Sequence, residues 1–352
     1  MPINFGSGHG SGSMVNRNTG SGEFWYDGNS DTYTLYANSP TPYVGDNFEY
    51  IGGLGIWTIA PNMQTSIAHN AGFGSQLAGV WAGGYDGSNR VANCNEWNGV
   101  TWVAGGNIGT ARNNAAGLGR LLAGVIGGGY RETGGGSSNL CETYNGTSWS
   151  AANNCTYSTG DASAGGAGGN LGGLKNGGGS GGSIDDMKAE TETWNGTSWS
   201  SVSSMLMKRD SARSCGSSLA AFTGCSTWKN PDGGAKESTQ TCLQYDGSSW
   251  SYTVNSPGAA RRGCYVFGHP TACVNVPGEG DNQTTEEFDG TAFTVGNDCI
   301  KTNNFGVACG GAQSAAICGG GEQDGDGSMR YDKFPIESSR FRVKYLQEQG
   351  DA

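Results

Sequence analysis

Tyr144-Asn145-Gly146-Thr147-Ser148-Trp149 is the stretch on which the fold turns, because the chain writes it five times. The other copies are Trp97-Asn98-Gly99-Val100-Thr101-Trp102, Trp194-Asn195-Gly196-Thr197-Ser198-Trp199, Tyr245-Asp246-Gly247-Ser248-Ser249-Trp250 and Phe288-Asp289-Gly290-Thr291-Ala292-Phe293. Their first aromatics are 47, 50, 51 and 43 residues apart. Asn-Gly or Asp-Gly between strand formers signals a two-residue hairpin. That register puts Tyr144 opposite Thr147 and Glu142 opposite Trp149, and makes the two aromatics a diagonal pair on one side of the ribbon. The same aromatics, with Trp57 in phase ahead of them, are the predicted core between neighbouring sheets.

Outward from each hairpin the pattern continues. A turn follows the second aromatic, then a strand of small residues such as 111–117 or 212–216. A second small, apolar strand ends in glycines, as at Gly83-Gly84 and Gly127-Gly128-Gly129. A variable polar loop then leads to the next hairpin. Four short strands per 40–50 residues is the period of a propeller blade. Inner strand pairs fall at 69–84, 111–129, 161–179, 211–226, 259–277 and 303–320. The sixth is followed by a third strand at 328–332 with no fourth, and 55–59 is a fourth strand with no first three. The expectation is an all-β, six-bladed propeller closed by pairing of 55–59 with 328–332. A seventh blade from 24–50 is the alternative.

These repeats resemble the kelch repeat, in which a Gly-Gly strand precedes a strand carrying Tyr and a Trp follows on the next. The short Asn-Gly-Thr-Ser link is similar to the kelch-like repeats of structural proteins in marine bacteriophages, cyanophages in particular. The resemblance spans 50–332. It implies a phage virion protein: a tail or host-facing appendage that presents loops for host-surface recognition, located in the virion. The alternatives are a capsid decoration or head appendage, and a cellular kelch-type adaptor. The third repeat, nearly pure glycine over 165–182, and the fifth, with Gly278-Glu279-Gly280 in place of the glycine pair, depart from the pattern.

Composition limits the rest. The 352 residues include 65 glycines, far above the usual ~7%, yet only 9 prolines and no collagen period. Ten Trp, 14 Tyr and 11 Phe argue against disorder, which is aromatic-poor. A net charge of −11 disfavours nucleic-acid binding. No apolar run is long enough for a membrane helix, and residues 1–10 have neither the basic start nor the apolar core of a signal peptide. The eleven cysteines include no C-x-x-C pair and read as small buried hydrophobes rather than a disulfide framework.

The expected domains are an N-terminal extension at 1–50, the propeller at 51–332 and a C-terminal anchoring tail at 333–352. The extension has a Gly/Ser-rich tip and then an aromatic-rich docking segment. In the tail, Phe341, Arg342, Val343, Lys344 and Tyr345 alternate apolar with basic, a natural edge for pairing with other virion proteins. On the loop face, Tyr85, Tyr130, Arg131, Trp228, Lys229, Asp232, Glu279 and Asp281 mix rings with charges, which suits a host glycan or protein. Arg112, Arg213, Arg261 and Arg262 open inner strands. The resemblance implies that they line the channel mouth for acidic ligands; the alternative is that they anchor loop carbonyls and pair with Asp210 and Asp161. The three histidines, His9, His69 and His269, are too few and too scattered for a catalytic metal, so no enzyme activity and no cofactor are expected.

Overall fold

The computed structural model describes residues 23–27, 32–36, 47–60 and most of 61–319, together with 338–348; the expected strand at 328–332 lies outside the described residues. Among the described residues the regular structure is β-strand, apart from one short 3-10 helix at Ile184–Asp186.

Five four-stranded antiparallel sheets follow one another along the chain, each with its strands in sequence order. The first is Ala71–Ser75, Ala78–Ala82, Cys94–Trp97 and Trp102–Ala104. The second is Ala116–Arg120, Ala123–Gly127, Cys141–Tyr144 and Trp149–Ala152. The third is Ser163–Gly165, Gly173–Asn176, Thr191–Trp194 and Trp199–Val202. The fourth is Ser214–Gly216, Ala221–Thr223, Leu243–Tyr245 and Trp250–Tyr252. The fifth is Tyr265–His269, Ala272–Val276, Thr284–Phe288 and Phe293–Asp298. A sixth sheet begins with Val307–Ala312 and Ala315–Gly319. The predicted inner and outer strands of the repeat are therefore present as real elements.

The hairpin register differs from the two-residue expectation. Tyr144 stands opposite Trp149, not Thr147, and the same direct opposition joins Trp97 to Trp102, Trp194 to Trp199, Tyr245 to Trp250 and Phe288 to Phe293. The cause is the Asn side chain. Asn145 Oδ1 accepts from the amides of Thr147 and Ser148, both at 2.9 Å, so the loop is four residues long. Only the glycine of each turn is left-handed, φ +93° at Gly146. The two rings of a hairpin consequently pack on each other, stacked at 4.7 Å for Tyr144 and Trp149 and tilted at 5.3 Å for Trp194 and Trp199.

These rings fill the spaces between sheets. Tyr144 joins Phe73, Val80, Ile108 and Ile126 between the first and second. Trp194 and Trp199 join Leu118 and Val125 between the second and third. Tyr245 and Trp250 meet Leu174 between the third and fourth, and Phe288 meets Phe222 and Val266 between the fourth and fifth. Tyr265 and Phe267 pack on Ala316 and Cys318 of the sixth sheet, whose Ile317 packs on Trp81, Trp97 and Trp102 of the first. The inner strand of each sheet lies beside that of the next, from Ala71–Ser75 through to Val307–Ala312, which lies beside Ala71–Ser75. Small residues permit this approach: a Cβ on Gly117 would stand 2.8 Å from the Gly72 backbone.

The chain forms two compact units, 56–342 and a second made of 1–55 with 343–352. In the second, Glu23–Asp27 pairs with Thr32–Tyr36, which pairs in turn with Asn47–Ala60. The aromatic-rich segment expected to dock is thus itself built of paired strands. The third strand of the sixth sheet is Ser338–Glu348, in place of the expected 328–332: Ala315 pairs with Arg342 and Ala316 with Phe341. Asn47–Ala60 neighbours it in sheet order. The alternation that reads as a free tail is a strand's alternation, and its first residues are used within the sheet. Trp57 lies in Asn47–Ala60.

Candidate recognition face

Among the described residues, four inner strands are entered through a left-handed residue: His69 at φ 56°, Asn114 at 55°, Ser211 at 53° and Gly263 at 67°. The glycine pair of the preceding sheet meets this entry segment. Gly84 N donates to Arg112 O at 2.9 Å, Gly129 N to Thr159 O at 2.6 Å and Gly178 N to Arg209 O at 2.7 Å. Both glycines of each pair have positive φ, a geometry that side chains disfavour. The Gly-Gly motif is thus the stitch between neighbouring sheets. It also places the residues where the loops leave it, Tyr85, Tyr130 and Gly179, on the face where inner strands begin.

Two residues before the left-handed position stand Arg112, Arg209 and Arg261, all buried. Arg112 donates to Leu140 O at 3.0 Å and to Glu142 Oε1 at 2.7 Å, and Arg261 pairs with Glu286. Of the two readings of these arginines, the anchoring one describes Arg112 and Arg261, with glutamates as the partners. Arg213 donates to Ala212 O at 2.8 Å, and Arg262 lies outside the described residues.

The glutamates are the residues that sequence reasoning missed. Glu142, Glu192 and Glu286 each stand two positions before a hairpin aromatic, and all three are buried. Each accepts from the loop arriving from the sheet before. Gly109 N donates to Glu142 Oε2 at 2.6 Å, Thr156 N to Glu192 Oε2 at 2.7 Å and Gly258 N to Glu286 Oε1 at 2.7 Å. In the third sheet the cation comes from the second strand instead: Lys175 pairs with Glu192 across the ladder and sits 3.5 Å from the Tyr157 ring centroid. Burial, then Glu192, holds the Tyr157 phenol well above its ordinary value. Tyr144 OH donates to Glu96, and burial followed by that bond pushes this phenol up as well.

Of the eight residues expected on the loop face, Tyr85, Tyr130 and Arg131 are half-buried on it. Tyr85 bridges Ala68 and Arg90, and Tyr130-Arg131 pairs with Asn113 and Arg112. Around them Arg90 Nε donates to Asn113 Oδ1 at 3.1 Å, Arg90 N donates to Glu132 Oε2 at 2.9 Å, and the Arg90 and Glu132 side chains keep 29% and 42% of their surface. Trp228 and Lys229, expected in a loop, lie in a strand: Ser226–Lys229 pairs with Arg209–Asp210 and with Lys236–Thr239. Thr227 and Trp228 are strand formers, which favours this placement. Asp232, Glu279 and Asp281 lie outside the described residues. Phe341 and Arg342 pair with Ala316 and Ala315, and Val343, Lys344 and Tyr345 continue the same strand.

The ionic groups beneath this face are thus committed to internal ties, and its exposed groups carry both signs beside tyrosines. Among the described residues no group of three His, Cys, Asp or Glu is arranged to hold a metal ion, and no helix is long and apolar enough to cross a membrane. No family model matches the chain, and no curated protein does. Among solved structures that of YjhT is similar, with a TM-score of 0.64 at 11% identity over 82% of this chain and 99% of that one. At that identity the likeness is one of fold, β-propeller-like.

Proposed function

We propose that residues 56–342, with the neighbouring strand Asn47–Ala60, form a six-bladed propeller, and that it serves as a non-catalytic recognition platform on a phage particle. The chain of inner-strand neighbours, which returns to its first member, carries the architectural part. The loop face supports the role. Its left-handed entries and buried Arg–Glu and Lys–Glu ties hold a rigid base, and Tyr85, Tyr130, Arg90 and Glu132 stand on it as adaptable contacts. The virion assignment rests on the resemblance of the five short-hairpin repeats to cyanophage structural proteins. In this reading the ligand is a host-surface glycan or protein, and other virion proteins hold the chain at its terminal segments.

Mass spectrometry of purified particles tests the location: the protein is expected in the mature virion at fixed copy number, and its absence there sinks the assignment. Competition tests the role. Purified protein should slow adsorption of the phage to host cells, and a Tyr85→Ala/Tyr130→Ala variant should compete less. Equal competition by the variant would move recognition off this face. A high-resolution map with seven four-stranded sheets would reject the blade count.

A further inference from the structure

Five of the free cysteines crowd the fourth and fifth sheets: Cys215, Cys225, Cys242, Cys264 and Cys273, all buried. The backbone brings two of them together. Thr223 pairs with Leu243 and Ser226 pairs with Thr239. Between these pairs Gly224 and Cys225 face Gln240, Thr241 and Cys242, two residues against three, which is a bulge. Arg209 Nη1 donates to Gly224 O at 3.2 Å and to Thr241 O at 2.8 Å. The residues immediately before Cys225 and Cys242 therefore meet at one nitrogen atom.

The surroundings are cationic. Arg209 is fully buried, and Leu243 occupies the position that holds Glu142, Glu192 and Glu286 in three other sheets. Arg209 thus lacks the carboxylate its counterparts Arg112 and Arg261 have, and its Nε has no partner. Arg261 approaches Cys264 and Cys225 from the fifth sheet, with its Nε and Nη1 also unpartnered. Asn275 Nδ2 donates to Cys225 Sγ at 3.5 Å. A buried guanidinium without a counter-ion is costly, and an ionised sulfur at Cys225 would supply the missing negative charge.

We propose that Cys225 is the oxidisable thiol of this protein and closes a disulfide with Cys242 when it meets a peroxide. The Cys225 thiolate attacks one peroxide oxygen, the O–O bond breaks, and hydroxide leaves to take up a proton as water. The Cys242 thiol then attacks the Cys225 sulfenic sulfur; its proton and the departing hydroxyl form a second water. Two thiols are oxidised and one hydrogen peroxide is reduced. Hydrogen bonds from Cys242 and Cys264 hold the Cys225 thiol well below its ordinary value. Burial instead pushes Cys94 up to about 12, Cys141 to about 11 and Cys155 to about 12, which makes them internal controls. Both reacting sulfurs are buried, so the reaction runs through transient opening of the Ser226–Lys229 and Lys236–Thr239 hairpin.

The test uses the full chain. It is exposed to graded hydrogen peroxide, alkylated, digested without reductant and mapped by mass spectrometry. Linked Cys225–Cys242 peptides should accumulate while Cys94, Cys141 and Cys155 remain alkylatable, and dithiothreitol should reverse the link. In Cys242→Ser, Cys225 should be trapped as a sulfenic acid that dimedone labels. If that variant does not fold, the map of the unaltered chain decides. A free Cys225 after the control thiols have oxidised, or a bridge other than Cys225–Cys242, would overturn the proposal.

Discussion

Glu192 and Lys175 show how single residues carry this fold. Both side chains are fully buried, and the carboxylate also accepts from the Thr156 amide and hydroxyl. Removing one member of such a pair leaves a desolvated charge. Glu192→Ala should therefore cost about 3–5 kcal/mol in urea unfolding, and Lys175→Met combined with Glu192→Leu should recover part of it. A second residue-scale prediction concerns Asp246. Four hydrogen bonds from Ser248 and Ser249, led by the Ser249 amide, hold its carboxyl down at about 2. A depressed folded value stabilises above the unfolded one, near 4, and the benefit fades as pH falls towards 2. The urea midpoint of Asp246→Asn should therefore lose its gap to the parent across that window; a gap unchanged from pH 5 to 2 would contradict it. The turn residues were legible because Asn-Gly and Asp-Gly are local signals. The buried glutamates were not, because a charged residue in a short strand reads as solvent-facing; their one clue is the constant spacing of two from the hairpin aromatic.

At the scale of the element, the hairpin is the unit of the core. Trp199 is 6% exposed and its Nε1 donates to Cys141 Sγ, whereas Trp149 is only half-buried. Trp199→Ala should cost about 3–5 kcal/mol, as large buried aromatics do, and Trp149→Ala less; equal losses by thermal melts would mean that these two hairpins pack alike. Gly146 tests the turn itself. Its φ is +93° and a Cβ there would stand 2.6 Å from Leu122 Cδ2, so Gly146→Ala should destabilise by about 1 kcal/mol or more. The strands could be read from the chain, but their register could not. A shift from diagonal to direct opposition depends on whether Asn145 uses its side chain as an acceptor inside the turn, which the residue types alone leave open.

At the scale of the whole molecule, the sixth sheet is where the ends of the chain matter. Its second strand belongs to two cores at once: Ala316 and Cys318 pack on Tyr265, Phe267, Val274 and Val276, and Ile317 packs on Trp81, Trp97 and Trp102. Trp81 Nε1 also donates to Gly319 O at 3.2 Å, a bond spanning 238 residues of sequence. Contacts so distant in sequence are costly in loop entropy, which makes this seam dependent on its neighbouring strands. The sequence showed an unmatched strand near each end but misplaced the C-terminal one, because 328–332 and 338–342 both carry apolar and charged residues in strand-like order. The observed pairing of Ile317 with Arg340 gives a direct test of this seam. A chain ending at residue 337 removes that partner strand and should melt well below the full chain, by about 2–4 °C per kcal/mol lost. A chain ending at residue 342 keeps the paired residues Ser339 to Arg342 and should melt closer to the full chain. If both truncations melt alike, the strand at 338–342 is not what seals the sixth sheet, and the proposed closure of the ring fails with it.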